Sequence, residues 1–291
     1  MLLPEQIKVG IAGIVLLIAS LTDLKTREVP DTLNFGLIGS GIGVNLLLSL
    51  IFSTSSFFME SLAGFVFFLG FAYLLYYTGQ WGGGDSKLLI GLGSLFGLQY
   101  SLSSFMIFFI ITLLVAGALY GILWSFFLGF KQRNKLTKEI RLLIKPRIIK
   151  IIGIFLLLFS IISFIFYFTL DRIISFPLLF LSLSFLFTFA LWIGIKAVEN
   201  GCMKKHVDPK QLTEGDWIAE DVIVDGTYIC GPKDLGIEKK QISQLLQLKE
   251  EGKISRILIK EGIPFVPSFF LAFLLTIFFQ DVLISMVKTF I

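Results

Sequence analysis

Trp81-Gly82-Gly83-Gly84-Asp85-Ser86-Lys87 interrupts a mostly apolar chain, with long hydrophobic runs before and after it. Those runs predict that the stretch lies at a membrane boundary. Its consecutive glycines leave backbone open to close approach, since no Cβ blocks it. An acid at a bilayer edge is costly and by default marks a functional site. Asp85 has two readings: an N-cap for the following helix, where Asp is preferred, or a working carboxylate. A second acid, Asp23, also ends an apolar run and favours the second reading.

Composition sets the frame. Hydrophobic residues make up 55% of the 291, with 32 Phe and a mean hydropathy of +0.86, while charged residues are only 16% and clustered. Soluble domains carry about 25% charged residues, so a polytopic membrane protein is expected. The net charge of +4 is no pointer to nucleic acid; the placement of the charges matters more than their sum. Cys202 and Cys230 make neither a disulfide framework nor a Cys-x-x-Cys metal site. The first apolar run has no small-residue cleavage site, so no cleavable signal peptide is expected.

A span needs about 20 apolar residues. The runs predict about eight: Val9–Leu21, Leu33–Phe52, Phe57–Thr78, a short one over Asp85–Leu98, Leu102–Gly129, Ile151–Leu170, Ile174–Val198 and Pro264–Val287. Residues 1–130 would form a membrane core of spans one to five, and 151–198 spans six and seven. A small α+β domain at 199–262 would precede the last span in 263–291. Residues 131–150 read as a basic loop, with Lys131, Arg133, Lys135, Lys138, Arg141, Lys145, Arg147 and Lys150 against Glu139 alone. Short loops rich in Lys and Arg stay in the cytoplasm. Alternation then puts the N-terminus outside and both acidic segments at the cytoplasmic face. The opposite loops, Ser53–Ser56 and Gln99–Ser101, carry no base, which agrees. The basic loop also offers charge to anionic lipid headgroups.

In the polar insert, Trp217–Ala219, Val222–Val224 and Ile254–Ile259 read as strands, and Gly226 and Gly231-Pro232 as turns. Glu238–Leu248 has helical spacing, with Ile242, Leu245 and Leu246 on one face. His206 reads as a solvated residue of a charged linker. Between Lys210 and Lys233 the only charges are Glu214, Asp216, Glu220, Asp221 and Asp225, either a solvated loop or a collector of basic peptide.

Two carboxylates held close together share a proton. One can activate water while the other protonates a carbonyl or leaving amine, with neither metal nor cofactor. Asp85, at a helix N-terminus, would feel the positive end of the dipole, which makes it the expected base and Asp23 the donor.

Asp23-x-Lys25-x-Arg27-Glu28-Val29-Pro30-Asp31 together with Gly82-x-Gly84-Asp85 resembles the archaeal preflagellin and prepilin peptidases, which are GxGD intramembrane aspartyl proteases. The segment Lys260-Glu261-Gly262-Ile263-Pro264-Phe265-Val266-Pro267 is similar to the end of the cytoplasmic domain in longer archaeal members. The resemblance implies cleavage of class III signal peptides from archaellin or pilin precursors at the cytoplasmic face, with Asp23 and Asp85 as the catalytic pair. Bacterial relatives often carry paired Cys-x-x-Cys motifs for N-methylation. This chain has none, so peptidase activity without methylation is expected.

In that context Gly82, Gly83 and Gly84 either form a turn or admit a substrate strand. Glu28 and Asp31 either meet the substrate's basic leader or are ordinary loop charges. Ser86 and Lys87 are helix neighbours that face apart, so they make no Ser–Lys dyad. Presenilin-like GxGD proteases are a rival, but they would show Tyr-Asp, and Thr22 precedes Asp23 here. A transporter using acids as an ion relay would place them near mid-span.

Overall fold

The computed structural model describes residues 3–99 and 104–290, the side chains of 281 and 283–290 excepted. The expected start of the fifth span at Leu102, and most of the loop Gln99–Ser101, fall outside the described residues. The chain divides into two compact units, Met1–Gly121 with Gly262–Ile291, and Ile122–Glu261.

The first unit is helical: α1 (Leu3–Thr26), α2 (Asp31–Ile51), α3 (Ser56–Tyr77), α4 (Gly83–Phe96), the first part of α5 (Phe105–Lys131) and α10 (Val266–Phe290). Pro30 occupies the N-cap of α2 at φ −56, a value the pyrrolidine ring already sets. Helix α4 is the core. Leu88, Leu89, Leu92 and Leu95 are at most 1% exposed, and small residues let its neighbours come close. A Cβ on Gly41 of α2 would stand 2.7 Å from the Leu95 nitrogen, and one on Gly64 of α3 would overlap the Gly93 carbonyl.

With 14 residues, α4 spans about 21 Å, short of a hydrocarbon layer of roughly 30 Å. The last carbonyls of such a helix need partners that lipid cannot supply. Asn45 Nδ2 donates to the carbonyls of Ser94 (3.2 Å) and Leu95 (2.9 Å), and Ser61 Oγ donates to that of Ser94 at 2.6 Å. Gly97 then leaves the helix at φ +77, where a side chain would be strained. At the end of α1 away from Asp23, the ammonium of buried Lys8 lies 5.6 Å from the Phe57 ring centre, within electrostatic reach of Glu60.

The second unit holds the rest of α5, then α6 (Arg133–Ile144), α7 (Arg147–Thr169), α8 (Arg172–Gly201) and the polar insert. The basic segment expected as a loop is therefore largely helix. Leu136, Glu139, Ile140 and Leu143 recur at helical spacing and form its half-buried face, and Glu139 is turned against Gly201. The α7–α8 hairpin turns at Asp171, whose side chain accepts a bond from the Ile173 amide at 3.3 Å.

The insert contains β1 (Lys204–Val207), a 3-10 turn (Pro209–Gln211), β2 (Trp217–Ile218), β3 (Val222–Val224), β4 (Thr227–Cys230), α9 (Lys239–Glu250) and β5 (Ile257–Lys260). One antiparallel sheet has the order β1-β5-β2, and β3 pairs with β4. Asp225 (φ 52) and Gly226 (φ 78) make the tight hairpin turn, the pattern that Asp-Gly favours. The supposed linker around His206 is instead β1. His206 is still exposed, while Val207 enters a core with Ile218, Cys230, Leu245, Ile257 and Ile259.

The chain is mostly helical, and among the described residues six helices are long and apolar enough to cross a membrane, namely α1, α2, α3, α5, α7 and α8.

Candidate active site

Asp23 lies in the last turn of α1 and is 6% exposed. Its Oδ2 accepts a hydrogen bond from the backbone N–H of Val266, the first residue of α10, at 2.9 Å. Past the aspartate the helix closes with the Arg27 amide donating to the Asp23 carbonyl at 2.9 Å, and Arg27 adopts φ 62. A non-glycine residue in that region is uncommon and is held by its surroundings. The Arg27 guanidinium makes part of the restraint, donating from Nη1 to the Gly262 carbonyl at 2.9 Å.

Asp85 sits in the first turn of α4, behind the extended N-cap Gly82. The Gly82 backbone lies close to its carboxylate, with Asp85 Oδ2 3.5 Å from where a Gly82 Cβ would stand, and the charge of Asp23 acts on it. The two acids, from different helices, thus lie within electrostatic reach of each other. The motifs that carry them also touch. A Cβ on Gly84 would stand 3.3 Å from Val29 Cβ, so Glu28-Val29-Pro30 lies directly against the glycine stretch. Lys87 Nζ donates to Asp31 Oδ1 at 2.6 Å and lies 5.4 Å from the Phe35 ring centre.

The residues marked from sequence therefore separate by environment. Gly82 is exposed. Gly83 is half-buried, with Tyr76 3.8 Å from where its Cβ would stand. Gly84 spends its missing Cβ on Val29 rather than on an open groove. Glu28 is exposed, and Asp31 is exposed but bonded to Lys87. Lys87 had no role assigned to it, because its partner arrives from another helix. Tyr120 of α5, also not marked, lies within electrostatic reach of Asp23 and Arg27. The Val266 amide had no side-chain signal; only the two prolines around it hinted at a special backbone. Trp81, which opens the glycine stretch, packs on Phe265 and Phe269 at ring-centre distances of 5.8 and 5.3 Å.

Comparison with known proteins finds one matching family and several similar proteins. Residues 10–129 match the type IV leader peptidase family. A preflagellin peptidase of Methanocaldococcus jannaschii is 41% identical over 87 residues, which are 29% of this chain and 36% of the relative. Those of Methanococcus voltae and Methanococcus maripaludis are 36% identical over 89 residues and 35% over 85, again covering 36% of each relative. This chain thus spans little more than a third of the curated relatives it matches. No solved structure matches. The resemblance read from the Asp23 and Gly82–Asp85 motifs is met by these comparisons: residues 10–129, which carry both motifs, match the type IV leader peptidase family, and stretches of 85 to 89 residues are similar to preflagellin peptidases.

Proposed function

We propose that this protein is an intramembrane aspartic endopeptidase that removes the basic class III signal peptide from archaellin or type IV pilin-like precursors. What supports this reading is that Asp23 and Asp85, on separate helices, lie within electrostatic reach of each other in the segment that matches the leader peptidases. A pair of carboxylates that cannot both ionise freely offers one base to activate water and one acid to protonate the leaving amine. No metal or cofactor enters this scheme. Which aspartate holds the shared proton is a property of the pair.

In this reading α4 and α10 complete eight membrane segments, with residues 1–130 as the catalytic core, 131–150 and 199–262 cytoplasmic, and 151–198 and 263–291 as the remaining spans. The N-terminus lies outside and both aspartates meet the cytoplasmic face, where the precursor's Lys/Arg leader emerges. The bases of α6 rest among lipid headgroups. The exposed backbone at Gly82, with Gly83 and Gly84 behind it, receives the unwound precursor strand. Glu28 and Asp31 meet the leader, Asp31 by exchanging Lys87 for a leader base. The chain trims its substrate without methylating it.

The test is cleavage of a pilin-like precursor by purified protein in detergent, comparing wild type with Asp23→Asn and Asp85→Asn. Product mass defines the cut. Loss of cleavage in both folded variants is the expected result, and survival of activity in either removes that acid from catalysis.

A further inference from the structure

The start of α10 meets Asp23 on one side and the stretch that leads to Asp85 on the other. On one side, the Val266 N–H donates to Asp23 Oδ2 at 2.9 Å. On the other, Phe265 and Phe269 carry the ring of Trp81, the residue that opens the glycine stretch before Asp85. A third tie, from Arg27 Nη1 to the Gly262 carbonyl at 2.9 Å, fixes the run-up to the helix against the end of α1.

The local sequence leaves Val266 as the donor for this task. The opening amides of a helix have no partner within it. Pro267 has no N–H, and the Ser268 amide is taken by the Phe265 carbonyl at 2.9 Å. Val266 is 0% exposed, so water does not replace its bond to the carboxylate. A buried donor left without its acceptor is costly, whichever aspartate holds the shared proton.

We propose that Val266, through its backbone amide, is a positioning residue for Asp23, and that Phe265-Val266-Pro267 clamps the two aspartate-bearing elements against each other. This rests on the peptidase reading above. The residue touches no substrate; it fixes the rotamer of one carboxylate, while its neighbours fix the approach of the other.

Two substitutions in the full-length protein separate the amide from the side chain. Val266→Pro removes the N–H at the first helical position, where proline is well tolerated. Val266→Ala keeps the N–H and trims the side chain. With a pilin-like precursor in detergent, Val266→Pro should lose roughly 10- to 100-fold in kcat, the scale of leaving one buried hydrogen-bonding group unpaired. Its KM should hold and its pH–rate profile should move, while Val266→Ala keeps the wild-type profile. A thermal-unfolding cycle with Asp23→Ala reads the same contact without any substrate: Val266→Pro should lower Tm in the wild-type background and change it little once Asp23 is gone.

Wild-type kcat and pH profile in folded Val266→Pro would overturn the proposal, as would equal losses in the two variants or additive Tm shifts. If the wild-type protein cleaves no precursor, the peptidase reading falls, and the cycle alone upholds or sinks the Asp23–Val266 contact.

Discussion

Alanine in place of Gly41 tests how closely α4 is gripped. A Cβ at that position would stand 2.7 Å from the Leu95 nitrogen, 2.9 Å from the Ser94 carbonyl carbon and 3.0 Å from Leu95 Cα. All three are backbone atoms, so no rotamer change relieves the overlap. Comfortable contact lies near 3.5 Å, so α2 and α4 must separate by about 0.8 Å. Overpacking of this kind costs about 1–3 kcal/mol. The separation also stretches the Asn45 bonds to the Ser94 and Leu95 carbonyls, so the estimate sits toward the upper end.

Gly39 and Gly43 supply the control, because among the described residues nothing lies within 4 Å of a Cβ on either. Both are on the same helix, so the propensity gain of alanine over glycine, roughly 1 kcal/mol, cancels in the comparison. Unfolding in detergent, followed by tryptophan fluorescence, should place Gly41→Ala about 1–3 kcal/mol below Gly43→Ala. Asp85 rides on the same short helix, and an error of about 1 Å in a reacting group can cost up to ~100-fold in rate. Cleavage by Gly41→Ala should therefore fall further than its stability. Equal stability of the two variants would refute the close-packed seam. A stability loss with full activity would show that α4 adjusts without moving Asp85.

Three further outcomes are expected. Burial, with Asp234 nearby, pushes the Cys230 thiol up to about 11; in a Cys202→Ser background it should stay silent to a thiol reagent at pH 8 and react only as denaturant opens the insert, and immediate labelling would contradict its place in the core. The hydrogen bond from Lys249 holds the Asp208 carboxyl below its usual range, so the pair stabilises above pH ~3.9 and that share is lost as pH falls through the lower folded value; Asp208→Asn, which keeps the N-cap, should lower the denaturation midpoint at pH 7 yet leave it less sensitive to acid, and equal acid sensitivity would discount the pair. Lys87→Met frees Asp31 from its ion pair, so KM for a precursor with a basic leader should fall at low salt, and an unchanged KM would remove Asp31 from leader binding.

What the sequence made legible follows the distance over which each feature is decided. The long apolar helices are local, and their limits can be read from where charges and prolines stop them, as Asp31 and Pro30 do before α2. Gly91, Gly93 and Gly97 are local too, small residues that suit α4 to close contact with its neighbours. That α4 ends under the Asn45 side chain was not legible, because Asn45 is 50 residues from Leu95. The strand at Lys204–Val207 looks like a linker in sequence for the same reason: its pairing partner is Ile257–Lys260, and two lysines and a histidine in four residues give no alternation to follow. In the basic segment, a dense run of charge hid the helical recurrence of Leu136, Ile140 and Leu143.

The candidate site divides along the same line. An acid beside glycines, and another at the end of an apolar run, stand out because each is locally expensive. The groups that hold them in place do not stand out. The Val266 amide belongs to every chain at every position, and it meets Asp23 across 243 residues. Lys87 reads as a helix-surface charge until α2 brings Asp31 to it. A site of this kind shows its reacting groups in sequence and hides its supports, because reactivity depends on residue type, whereas support depends on which backbone the fold delivers. Substitutions chosen from motifs alone would therefore probe the acids and pass over the first turn of α10.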